Sequence, residues 1–211
     1  MLNRAVSLLL SIATNLFLVG VFYSALINPV DFKDFIYKTG IMIFMIEFMT
    51  LHSSGMLFGS AQKAKETGKR RFGLKEKIGL FVFYNMFVIV FAAQTGQWLA
   101  AVYFAVSLAS KAVYSRAIDA EERLAPVAAG IAMLLLSTFL VVFGAKLIAG
   151  WFPLPAEVRA ARPAGQSGLF ISTPQTLMAW GVLYFMFMTV CEVAIFRKSA
   201  RRRPLRRQVA A

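Results

Sequence analysis

A chain of 211 residues that is 59% hydrophobic and 16% charged, with a mean hydropathy of +0.66, is too apolar for an ordinary water-soluble domain, in which about a quarter of residues are charged. Its net charge of +13 does not point to nucleic acid, because the basic residues stand in blocks beside apolar stretches, where they act as topological anchors. The single cysteine, Cys191, excludes an intramolecular disulfide and a cysteine-built zinc site.

The first apolar stretch, Ala5 to Ile27, follows Arg4. It is too long for the core of a signal peptide and lacks an Ala-x-Ala cleavage site, so an uncleaved helix is expected. Further apolar stretches run from Phe35 to Phe58, Ile78 to Ala93, Gln97 to about Val113, Leu124 to Ala149 and Pro174 to Phe196. A helix rising about 1.5 Å per residue needs roughly 20 residues to cross a bilayer core of about 30 Å. The ambiguous region is Ile78 to Val113, which reads either as one overlong helix or as two short ones joined at Gln94-Thr95-Gly96-Gln97.

Charge decides between them. The joint from Lys63 to Lys77 carries seven basic residues, Lys69, Arg70 and Arg71 among them, against Glu66 and Glu76. The tail carries Arg197, Lys198, Arg201, Arg202, Arg203, Arg206 and Arg207 with no acid. Both belong on the cytoplasmic side, which requires an even number of crossings between them and selects the hairpin. The expected fold is an all-α membrane bundle of six transmembrane helices, one domain over 1–196, with both termini cytoplasmic and a disordered basic tail over 197–211. The basic clusters at Lys69, Arg70 and Arg71 and at Arg201, Arg202 and Arg203 are expected to meet anionic lipid headgroups. Gly150 to Thr173, with three prolines, reads as an irregular outer segment. Thr173-Pro174 reads as an N-cap followed by proline at the first helical position. Trp98, Trp151, Tyr23 and Tyr37 fall near outer span ends, as an aromatic belt does, and Gly55-x-x-x-Gly59 with Ala101, Ala105 and Ala109 marks close helix approach.

Ionisable groups at membrane depth are the functional leads, since each costs about 2.5 to 3.5 kcal/mol on insertion scales. Glu47 stands mid-span, too far from either end for its short side chain to reach water. Asn15 and Asn85 lie at similar depth in neighbouring spans, and Thr50 follows Glu47 by three residues. A polar cluster of Glu47, Asn15, Asn85 and Thr50 would bind a proton or small cation. Glu192 reads as a local ion pair with Arg197 or Lys198.

The same helix carries Met42, Met45, Met49, His52 and Met56 at spacings of three and four, one seam nearly opposite Glu47. Thioethers and imidazole suit Cu(I), and a histidine with a methionine suits haem; packing by a flexible apolar side chain is the simpler account. Met45 and Met49 resemble the paired methionines of the CTR copper transporters, over those two residues.

No paired carboxylates, His-x-x-x-His, phosphate loop or nucleophile elbow occurs at convincing spacing. The expectation is therefore a non-enzymatic protein of a bacterial cytoplasmic (inner) membrane, without a cofactor and without a nucleic-acid partner. It would transport a small solute or ion around Glu47, or serve as an accessory subunit of a larger membrane complex or homo-oligomer.

Overall fold

The computed structural model describes residues 2–52, 74–96, 98, 101–104, 124–165 and 167–209. Among these the chain is helical, with no strand. We number its helices α1 (Leu2–Ile27), α2 (Phe35–His52), α3 (Leu74–Thr95), α4 (Leu124–Phe143), α5 (Ala145–Trp151), α6 (Ala156–Ala160), α7 (Leu169–Ser172) and α8 (Pro174–Val209). Residues 101–104 are also helical. Among the described residues, four helices are long and apolar enough to cross a membrane, over Ala5–Ile27, Phe35–His52, Ala125–Phe143 and Pro174–Arg201.

Local chemistry explains the boundaries. At the end of α1 the side chain of Asn28 donates to Asp31 at 2.5 Å, and Pro29 lacks the amide hydrogen a continuing helix would need. α2 opens with a π turn over Phe35–Thr39, closed by the Gly40 amide donating to the Phe35 carbonyl. That wider turn carries one residue more than an α turn and shifts the face every later residue presents. Helix α3 stops at Thr95, and Gly96 follows with φ of 70°, a left-handed conformation that ends helices and favours glycine. One unbroken helix across the Gln94 to Gln97 joint is thereby ruled out.

The expected span Leu124 to Ala149 is interrupted after Phe143, where Gly144 has φ of −83° and ψ of 1°. The Gly144 amide still reaches the Leu140 carbonyl at 2.8 Å and the Ile148 amide reaches Gly144 at 2.9 Å, so the chain bends without losing its hydrogen-bond ladder. The segment Gly150 to Thr173, expected to be an irregular outer segment, is less irregular than its prolines imply. It folds as the short helices α6 and α7, anchored by Val158 and Ile171, both buried.

Helix α8 begins at Pro174 as expected, but the Thr173 hydroxyl donates back to the Leu169 carbonyl at 2.8 Å instead of capping forward. At the other end α8 continues through the basic stretch to Val209, where composition predicts a disordered tail. Arginine, lysine and alanine are good helix formers and lengthen an existing helix, although Pro204 within this stretch lacks the amide hydrogen of a helical turn. At 36 residues the rod is about 54 Å long, well beyond a hydrocarbon core of about 30 Å.

α8 packs extensively on both α1 and α4. The α1 contact is close: Phe22 lies over Gly181, where an added Cβ would sit 2.3 Å from its ring. Around it Phe35, Trp180 and Phe185 pack with centroid separations of 5.2 to 6.3 Å, a mainly aromatic core. Leu51 of α2 lies equally tightly on Gly130 of α4. A second apolar cluster joins Met42 and Ile46 of α2 to Tyr84, Val88 and Ala92 of α3 and to Phe104. Small residues set close helix approaches at Gly130 and Gly181; Ala101 packs against the second cluster, and Gly55, Gly59, Ala105 and Ala109 lie outside the described residues.

A buried carboxyl between two tyrosines

Glu47 lies where these two apolar clusters meet and is 2% exposed. It is about 18 Å along α2 from Phe35, while Tyr184 is about 15 Å along α8 from Pro174, so the two stand at similar depth. The Tyr184 hydroxyl donates to Glu47 Oε2 at 2.8 Å, and the Tyr103 hydroxyl donates to Oε1. Three parts of the chain thus converge on one carboxyl.

Each tyrosine is positioned by packing. Tyr184 is fully buried, its ring stacked on Trp180 at 5.0 Å and 9° and set edge-on to Phe185 at 5.0 Å and 70°. Tyr103 borders both apolar clusters. A hydroxyl donating to each oxygen is the bonding a carboxylate accepts. Charge-assisted hydrogen bonds contribute about 1.5 to 3 kcal/mol each, so two are of the same size as the insertion penalty of about 2.5 to 3.5 kcal/mol. Protonation of Glu47 would turn one acceptor into a donor and force one tyrosine to give up its bond or reverse it.

Two of the other polar residues singled out in the sequence have described hydrogen bonds of their own. Asn15 donates from Nδ2 to Glu192 Oε2 at 3.2 Å, while the Thr50 hydroxyl donates to its own helix at the Ile46 carbonyl, 2.7 Å away. Asn85 is on α3, but its side chain lies outside the described residues. Glu47 and Thr50 are both buried, and the two tyrosines join Glu47 in this polar site. Nothing in the sequence separates Tyr103 and Tyr184 from other aromatics in apolar spans, except that a buried phenol needs an acceptor.

The methionine seam faces another way. Met42, Met45 and Met49 line a cavity of about 20 Å³ closed by Ile46, Phe87 and Val88. This space holds about one water-sized body, and its three thioethers are soft donors. His52, the last described residue of α2, is exposed, with Nδ1 at 2.8 Å from the Tyr84 hydroxyl and its ring stacked parallel to Phe48. Met56 lies outside the described residues, as do Lys69, Arg70 and Arg71 and the side chains of Arg202 and Arg203. Arg201 is exposed. Among the described residues no three His, Cys, Asp or Glu side chains group as metal ligands. Of the expected belt, Trp98, Trp151 and Tyr23 are exposed, whereas Tyr37 is 6% exposed and packs inward.

Comparison with protein-family models, with curated proteins and with solved structures finds no match to the chain.

Proposed function

We propose that this chain is a multi-pass membrane protein that moves a proton across the membrane through Glu47, with Tyr103 and Tyr184 as the groups that feel its charge. The observation that carries the reading is a carboxyl 2% exposed at mid-span, held by hydroxyls from two other parts of the chain. Binding or release of a proton there changes two inter-helix hydrogen bonds at once, which links charge to helix packing. A proton suits the partners better than a metal cation does. Both tyrosines direct hydrogens at the carboxyl, whereas a hard cation needs oxygen lone pairs directed at itself.

The topology that goes with this reading has six crossings, both termini cytoplasmic and an inner membrane as host. It is supported by the basic blocks on either side of the Ile78 to Phe196 region and by the helix stop at Gly96. The reading predicts that purified protein in liposomes collapses an imposed pH gradient, followed with an entrapped pH dye, and that Glu47→Gln abolishes the flux at equal incorporation. Equal flux from Glu47→Gln would contradict it.

A second reading, an accessory subunit in a larger complex, draws support from the apolar outer faces of α1 and α4, where Phe17, Phe139 and Phe143 are 58 to 75% exposed. A wild-type protein that gives no proton flux and migrates with a larger partner from native membranes would favour it.

A further inference from the structure

Two turns beyond Tyr184, α8 carries a second buried carboxyl, Glu192, 4% exposed. The local pair expected with Arg197 or Lys198 does not form. Both basic side chains are exposed, and neither takes part in an ion pair among the described residues. Glu192 instead turns toward α1, where it accepts a hydrogen bond from Asn15 at 3.2 Å.

The register of these helices extends that contact into a polar line. Phe22 lies on Gly181 and Asn15 meets Glu192, so α1 and α8 run antiparallel. Moving from Asn15 toward the start of α1, Ser11 and Ser7 follow at one-turn intervals on the same broad face, and both are buried. The same direction along α8 leads from Glu192 to Ser199, seven residues on and on the same face. Ser199 is 2% exposed, and its hydroxyl has no hydrogen-bond partner among the described residues. A buried hydroxyl left unpaired costs about 1 to 3 kcal/mol, and a bound water or a passing proton carrier would satisfy it.

We infer that Glu192, positioned by Asn15, is a second proton-binding station, and that Ser11, Ser7 and Ser199 line a hydrated route from it to the basic end of the bundle. This rests on the reading of Glu47 as the central station and adds its inner half-path. By helical rise Glu192 stands about 12 Å from Tyr184 along α8. That interval is longer than a hydrogen bond, so transfer between the two stations requires intervening water.

The test uses the full chain in liposomes with an entrapped pH dye, comparing wild type with Glu47→Gln, Glu192→Gln, Glu192→Asp and Ser199→Val. Glu192→Gln keeps the shape and the bond to Asn15, and is expected to lower flux about a hundredfold, the scale of losing a positioned proton-transfer group. Glu192→Asp should recover part of it, and added azide or formate should restore flux to Glu192→Gln as a diffusible proton carrier. Ser199→Val is expected to lower flux as well, which gives an independent route if Glu192→Gln does not assemble. Wild-type flux from Glu192→Gln, with Glu47→Gln inactive, would overturn this inference alone. Loss in Glu192→Gln that neither the aspartate nor a weak acid restores would assign it a structural role and overturn it too. Absence of flux from wild type would overturn both readings.

Discussion

Replacing one hydroxyl at the Glu47 site should be felt as far as the stability of the bundle. Tyr184→Phe keeps the ring stacked on Trp180 but removes the donor 2.8 Å from Oε2, taking one hydrogen bond from a buried carboxyl. The expected loss is about 1 to 3 kcal/mol, seen as a lower thermal midpoint in detergent. Combining it with Glu47→Gln in a double-mutant cycle should return a coupling energy well above zero, since the two groups touch. An additive pair would mean that the bond contributes nothing. Glu47 was legible in the sequence because a short carboxyl at mid-span has no route to water. Its two tyrosine partners were not legible. Depth follows from counting residues, but facing direction depends on rotation about each helix axis. The π turn at Phe35–Thr39 alters that rotation for α2 without a sequence signal strong enough to read. Asn15 accordingly stands at a plausible depth but faces Glu192 of α8.

At the scale of helices, the contacts that hold α8 in place turn on two glycines. Gly181→Ala would place a methyl 2.3 Å from atoms of the Phe22 ring, a rigid group wedged among Phe35, Trp180 and Phe185. The expected cost is about 1 to 3 kcal/mol, with loss of assembled protein by size-exclusion chromatography. Gly130→Ala meets Leu51 Cδ2 at the same 2.3 Å, but that atom is the far end of a flexible side chain that has other rotamers. We therefore expect a smaller effect, and the reverse order of the two variants would contradict the packing described. By contrast Met49→Leu, lining the small cavity beside Phe87, conserves volume and should cost under about 1.5 kcal/mol. Span positions were legible from hydropathy: Ala5–Ile27 and the start at Pro174 agree with the sequence reading to the residue. The bend at Gly144 and the extension of α8 to Val209 were not, because apolar content alone carries no record of a bend and arginine is as compatible with helix as with disorder.

For the whole molecule, the route of the chain decides which side each polar group is reached from. The helix break at Gly96 excludes one continuous α-helix at that point, and the charge parity of the two basic blocks favours a hairpin there. With Cys191 changed to Ser, a cysteine at Gly68 should react with an impermeant maleimide only when the inner face is opened. One at Gly165, in the exposed segment between α6 and α7, should react from outside. Labelling of both from the same face would break the six-crossing topology and with it the direction assigned to the Glu192 route.

The claim on which the rest depends is that Glu47 exchanges a proton and that two tyrosines register the exchange. An infrared difference spectrum recorded in membranes across a pH step tests it directly. The account predicts a carboxyl carbonyl band that appears together with a shift in tyrosine ring modes, both absent from Glu47→Gln and the tyrosine part diminished in Tyr184→Phe. A spectrum with no band assignable to Glu47 at any pH at which the protein remains folded, or a Glu47 band with the tyrosine modes unmoved, would contradict it.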